Sequence, residues 1–183
     1  MTTTQTATST WTIDPVHTSV EFGVKHLNVS TFKGRFKTVG GTIQLNEANP
    51  SSSSVTAEID ANSIDIVAER LFGHVVSKDF LDTEQYPKLS FKSTHVEKVD
   101  DKHWKVSGDL TIRDATRPVV LNTEFLGQET HPFSKKSVAA FLATTTINRG
   151  DFGLTWNAVM DSGAAYVGEQ VTITLHIEAV KQE

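Results

Sequence analysis

Between Trp11 and Glu178 apolar and polar residues alternate one for one, stretch after stretch. A period of two marks a strand with one face on a core and the other in water. Val20, Phe22 and Val24 alternate with Ser19, Glu21 and Lys25. Phe32, Gly34 and Phe36 share one parity, against Lys33, Arg35 and Lys37. Val55, Ala57 and Ile59 form a further set, and Leu89, Phe91 and Ser93 another. Trp104, Val106, Gly108, Leu110 and Ile112 oppose Lys105, Ser107, Asp109 and Thr111. Val119, Leu121, Thr123 and Phe125 follow, and Val171, Ile173, Leu175 and Ile177 make the cleanest set. Gly40-Gly41 suggests a bulge or bend ahead of Ile43 and Leu45.

Residues 137–148 are apolar on both parities, so both faces are expected to be covered. The total is about eight strands, enough for a closed antiparallel barrel that holds one small ligand. Closure also removes the exposed edges of a free sheet. The fold class read here is therefore all-β. Residues 10–183 form one domain, after a Thr- and Ser-rich stretch at 1–9 read as a disordered tail.

One segment breaks the alternation. Ile64, Val67, Leu71 and Val75 recur at helical spacing, with Ser63 as N-cap, which predicts a helix over 64–76. A short turn is expected at Asp79–Asp82. This insertion, spanning 62–84, would cap a barrel end and mark where a ligand enters.

Composition removes several function classes. The net charge of −5 lacks the basic stripe that phosphate backbones require. With no cysteine there is no disulfide, thiol nucleophile or cysteine-bound zinc. No His-x-His or His-Glu-x-x-His spacing points to a metal. No glycine-rich phosphate loop is present, so no cofactor is expected. His74, Ser77 and Asp79 are the residue types of a hydrolytic triad, but a spacing of two or three positions rarely yields triad geometry. No apolar run is long enough to cross a bilayer as a helix. Residues 1–10 show no secretory signal, so the cytoplasm is the expected location, or the periplasm if a leader has been lost.

Pieces spread along the chain resemble the YceI-like family of bacterial lipid-binding proteins. They are Trp11-Thr12-Ile13-Asp14 with His17; Phe22, Val24 and His26; Gly34 with Phe36; and His74, Ser77 and Asp79-Phe80. They continue through Tyr86-Pro87 with Phe91, Gly108-Asp109-Leu110-Thr111-Ile112-Arg113, Asn148-Arg149 with Asp151-Phe152-Gly153, and Val167-Gly168. Leu71-Phe72 stand where the family often has Arg-Asp, and Asp114 where Gly is usual.

The resemblance implies a lipocalin-like barrel binding a long amphiphile: a polyisoprenoid, an isoprenoid quinone or a fatty amide. It also implies a homodimer, and the two apolar faces of 137–148 would fit that. The lining expected is Phe22, Val24, Phe36, Phe80, Phe91, Leu110 and Phe141. Gly34 and Gly108 lie on the inward parity, where they would leave room for a chain. His26, His74, Asn148 and Arg149 are the polar candidates for a head group, near the insertion. From the residues alone the apolar set fills an ordinary core, each histidine bonds solvent or a loop, and Arg149 pairs with Asp151. Three functions follow: a non-enzymatic carrier or store, an enzyme acting on such a lipid through His74, Asp79 or Arg149, and an interaction module with a solid barrel.

Overall fold

The computed structural model describes residues 8–183. Its strands in chain order are β1 (Ser9–Ile13), β2 (Ser19–His26), β3 (Ser30–Phe36), β4 (Val39–Leu45), β5 (Ser54–Asp60) and β6 (Ile64–Ile66). After helix α1 (Glu69–Val75) come β7 (Lys88–Lys98), β8 (His103–Ile112), β9 (Ala115–Thr130), β10 (Ser137–Asn148) and β11 (Val167–Lys181).

Eight strands close a ring in the order β1-β4-β5-β7-β8-β9-β10-β11, with β11 pairing back to β1. Every pairing is antiparallel. One edge of β11 serves two strands: Val167–His176 pair with β2 and Ala179–Lys181 pair with β1. From β2 the wall continues through β3 to β6. The all-β closed barrel expected from the alternation is therefore present, with three added strands and one short helix.

The alternation sets which face is which. In β8, Val106, Gly108, Leu110 and Ile112 are buried while Lys105 and Asp109 are exposed. The inward side chains form two clusters. The larger gathers Val20, Phe36, Ile64, Leu110, Ile147 and Phe152. The smaller gathers Trp11, Ala139 and Ala179, with Ile43, Leu45, Phe125 and Phe141 packed on them.

Three expectations are corrected. The helix spans Glu69–Val75 and not 64–76. Ile64 and Ile66 form a strand instead, paired with Phe36 and Gly34. An Ile-Asp-Ile triplet satisfies a period of two as well as the start of a helical stripe, and pairing with β3 decides between them. Ser63 is no N-cap: its hydroxyl donates to the Asp60 carbonyl and accepts from Thr38 N–H. Gly40-Gly41 makes no bulge, since β4 pairs with β5 in unbroken register; the irregularities lie in β7, β9 and β11. Finally, Ser9 opens β1, inside the stretch read as a tail. Residues 1–7 of that stretch lie outside the described residues.

The β1–β2 corner is locked locally. Asp14 Oδ1 accepts from Val16 N–H at 2.8 Å and Oδ2 from His17 Nδ1 at 2.8 Å. Glu178 Oε1 lies 3.4 Å from the same nitrogen. These three side chains are also the acid–histidine group whose ligand atoms converge within 4.8 Å among the described residues. They are on the surface and engaged with one another.

Candidate ligand-binding cavity

The barrel encloses a cavity of about 450 Å³, within the range of small-molecule sites, and its wall is almost entirely carbon. Phe22, Val24, Phe36, Phe91 and Leu110 line it, as the parity of their strands requires. Phe22 packs on Phe36 with ring centroids 5.9 Å apart.

The inward glycines behave differently from the expectation. A Cβ on Gly34 would sit 2.5 Å from Phe22 Cζ, and one on Gly108 the same distance from Phe91 Cζ. The space these glycines vacate is filled by an aromatic ring from the neighbouring strand. They therefore let two phenylalanines lie flat against the wall, and do not themselves hold open a path for a ligand.

Phe141 is also misplaced by sequence reasoning. It shares the inward parity of Thr145 and Ile147, which line the cavity, but sits earlier on β10, nearer the opposite end. There it meets Phe125 at 5.5 Å and joins the cluster around Trp11. That cluster packs across the far end, so Phe141 belongs to the floor. Parity gives a side chain's face but not its depth.

The other end is the mouth. The ends of β2 and β10, the start of β11, α1 and the loop after Gly153 all supply lining residues there. His74, Phe80 and Trp156 pack as a trio: His74 is 4.5 Å from Trp156 and 5.0 Å from Phe80, both edge-on. His26 meets Tyr166 edge-on at 4.7 Å. Trp156 and Tyr166 were not foreseen, because they lie in a segment with neither strand nor helix periodicity. Their only signal was being large aromatics in a loop.

The polar candidates divide. His74 Nε2 is 3.0 Å from Asp79 Oδ2, while Ser77 Oγ donates to the His74 carbonyl at 2.8 Å. The hydroxyl and the imidazole thus have separate partners, which is not a triad. Asn148 does not line the cavity; its carboxamide oxygen accepts from Gly150 N–H and caps the short turn Arg149–Phe152.

Arg149 does line the cavity and is 6% exposed. It does not pair with Asp151. Nε donates to the Gly168 carbonyl at 2.8 Å, Nη1 to those of Leu154 and Trp156, and Nη2 to that of Val167. Four loop and strand-end carbonyls are therefore gathered on one side chain. Burial pushes its guanidinium down from the ordinary value, and the charge of Glu169 acts the other way. An arginine remains cationic under such shifts.

A second arginine, Arg113, present in the sequence reading only as the end of a motif, holds the insertion. Arg113 adopts a left-handed backbone (φ 58°) in the β8–β9 turn. Its Nη1 donates to the carbonyls of Phe80 (3.2 Å), Lys78 (3.4 Å) and Gly153 (3.5 Å). The guanidinium also lies 5.7 Å from the Tyr86 ring centroid. No helix among the described residues is long and apolar enough to cross a membrane.

Comparison with known proteins agrees with this architecture. Residues 11–179 match the YceI-like domain. A UPF0312 protein of Vibrio cholerae is 35% identical over 166 residues, covering 91% of this chain and 83% of the relative. The crystal structure of BcnA from Burkholderia cenocepacia superposes with a TM-score of 0.78 at 22% identity, over 91% of this chain and 98% of that one. A polyisoprenoid binding domain from Saccharophagus degradans superposes with a TM-score of 0.69 at 13% identity, over 94% and 98%. A match across almost every strand, together with a relative this similar over most of its length, places the chain in the YceI-like family.

Proposed function

We propose that this protein binds one long-chain amphiphile inside its barrel and carries or stores it without chemical change. The observation that carries this reading is the carbon-walled cavity, open at the helix end and packed shut at the Trp11–Phe141 end. Each buried CH₂ contributes roughly 0.8 kcal/mol, so a few isoprene units or a fatty chain suffice for tight binding before ordering costs. The polyisoprenoid binding of the Saccharophagus degradans domain supports the same class of ligand here. The non-enzymatic reading is supported by the separate partners of His74 and Ser77.

The test is native mass spectrometry of the purified protein, followed by lipid extraction. A bound species of long-chain lipid mass is expected. Leu121 faces the cavity, so Leu121→Trp should lower lipid occupancy several-fold in a folded barrel, although overpacking costs about 1–3 kcal/mol. Equal occupancy in parent and variant, or a parent that never takes up lipid, would leave an interaction module as the better account. Turnover of a bound lipid that stops on His74→Ala would instead establish an enzyme.

We further propose a homodimer. Its observation is the outer face of β9 and β10, where Leu126 is 55% exposed in the register break between Val138 and Leu142.

A further inference from the structure

The inference rests on the lipid-site reading and narrows its ligand. Lys25, His26, His74 and Arg149 line the cavity, and no Asp or Glu does. The chain as a whole has 22 Asp and Glu against 17 Lys and Arg, so Lys25 and Arg149, the two lysine and arginine residues in the lining, stand against the overall balance. Arg149 follows β10, His26 ends β2 and His74 is on α1, all three inside the mouth, while the exposed Lys25, on the opposite parity from Val24, stands on its outer rim at the end of β2.

Two of them are linked through Gly168. Its carbonyl accepts from Arg149 Nε at 2.8 Å, and a Cβ added to it would lie 3.0 Å from Lys25 Cβ. Neither Lys25 nor Arg149 forms an ion pair among the described residues. The four carbonyls around Arg149 satisfy its hydrogen bonds, but dipoles do not neutralise its charge, and one N–H is left over. The carboxylates near the mouth are otherwise engaged or out of contact. Asp79 is bound to His74 and half exposed. Glu169 acts on Arg149 only through space.

A positive rim on a carbon-walled cavity complements a hydrocarbon chain that ends in a negative head. The low dielectric of that wall strengthens the attraction. A neutral head group would leave the buried guanidinium unbalanced when the mouth is desolvated. We propose that the preferred ligand is an amphiphile with an anionic oxygen head group, a carboxylate or a phosphate monoester, seated at the Lys25–Arg149 side of the mouth.

The test uses tail-matched pairs titrated into delipidated full-length protein: palmitoleate against palmitoleyl alcohol, and farnesyl phosphate against farnesol. At least one anion should bind about tenfold more tightly than its own alcohol, as a charge-assisted hydrogen bond provides. Which pair shows the preference identifies the head group. The preference should fall in Lys25→Glu and in Arg149→Gln, and should shrink with added salt in the parent. If Arg149→Gln does not fold, Lys25→Glu decides alone. Equal binding of anion and alcohol overturns this inference and leaves the carrier reading standing. Failure of all four probes to bind overturns both. A preference that survives Lys25→Glu unchanged also overturns it, because the charge would then lie elsewhere.

Discussion

Gly34 and Gly108 are conspicuous in the chain because they interrupt apolar parities, and the cross-strand rings explain them. A methyl group at 108 would meet Phe91 Cζ at 2.5 Å and the Lys92 carbonyl oxygen at 2.6 Å, the latter immovable without shifting β7. Gly108→Ala should therefore cost about 1–3 kcal/mol in urea denaturation. With Phe91→Leu the two costs should be non-additive by more than about 0.5 kcal/mol, since they share one space. At the β1–β2 corner, the hydrogen bond to Asp14, then the charges of Glu178 and Asp14, raise His17 above its ordinary 6.5. The hydrogen bond from His17 holds Asp14 below its usual 3.8. The His17 contribution is complete below the unfolded imidazole value and is lost as pH rises through the higher folded one. The Asp14 contribution is present above the unfolded carboxyl value and is lost as pH falls through the lower folded one. The difference in Tm between the parent and His17→Gln should thus be largest between the two ordinary values, 3.8 and 6.5, and disappear at alkaline pH.

The insertion between β6 and β7 is the element that turns a barrel into a vessel with a mouth. Its helix has seven residues and no side-chain N-cap, too little to be stable alone. Its stability comes from packing: Leu81 is buried, and Val75 and Val76 rest on the core. Arg113 then ties the Lys78 and Phe80 carbonyls to the β8–β9 turn. Arg113→Ala should leave the barrel folded and speed amide hydrogen exchange across 76–86 by roughly tenfold or more, as the loss of one to two charge-assisted bonds implies. Exchange unchanged in this segment would mean that packing alone secures it. Lys would keep the charge but lose the flat guanidinium that lies over the Tyr86 ring.

At the scale of the molecule, the cavity exists because the two inward clusters are unequal. Trp11, Phe125 and Phe141 meet across the far end, while the aromatics nearer the mouth lie against the wall and leave the axis free. On the outer surface, Leu126 of β9 is an exposed apolar side chain. Sedimentation of the parent should report a dimer at tens of micromolar, about the range of a modest interface. Leu126→Glu should convert it to monomer without changing lipid occupancy, because Leu126 faces away from the cavity. A parent that sediments as a monomer would remove the dimer reading.

The division between what was legible in the chain and what was not follows from the range of each interaction. Strand identity, inward parity and closure into an antiparallel barrel are written in a two-residue period, so they were readable locally, as were Phe22, Val24, Phe36, Phe91 and Leu110 on the wall. Family membership was readable too, from short motifs kept in order along the chain. Depth along the barrel was not, because a parity repeats without saying how far a residue is from either end; Phe141 went to the floor for that reason. Nor was the boundary of the helix, since Ile64-Asp65-Ile66 suits either period until β3 offers a pairing edge. Partnerships across the mouth depended on loops brought together from distant parts of the chain. Only the folded structure could assign Trp156 to His74, Arg113 to the insertion, and Arg149 to four carbonyls where an aspartate two residues away had looked sufficient.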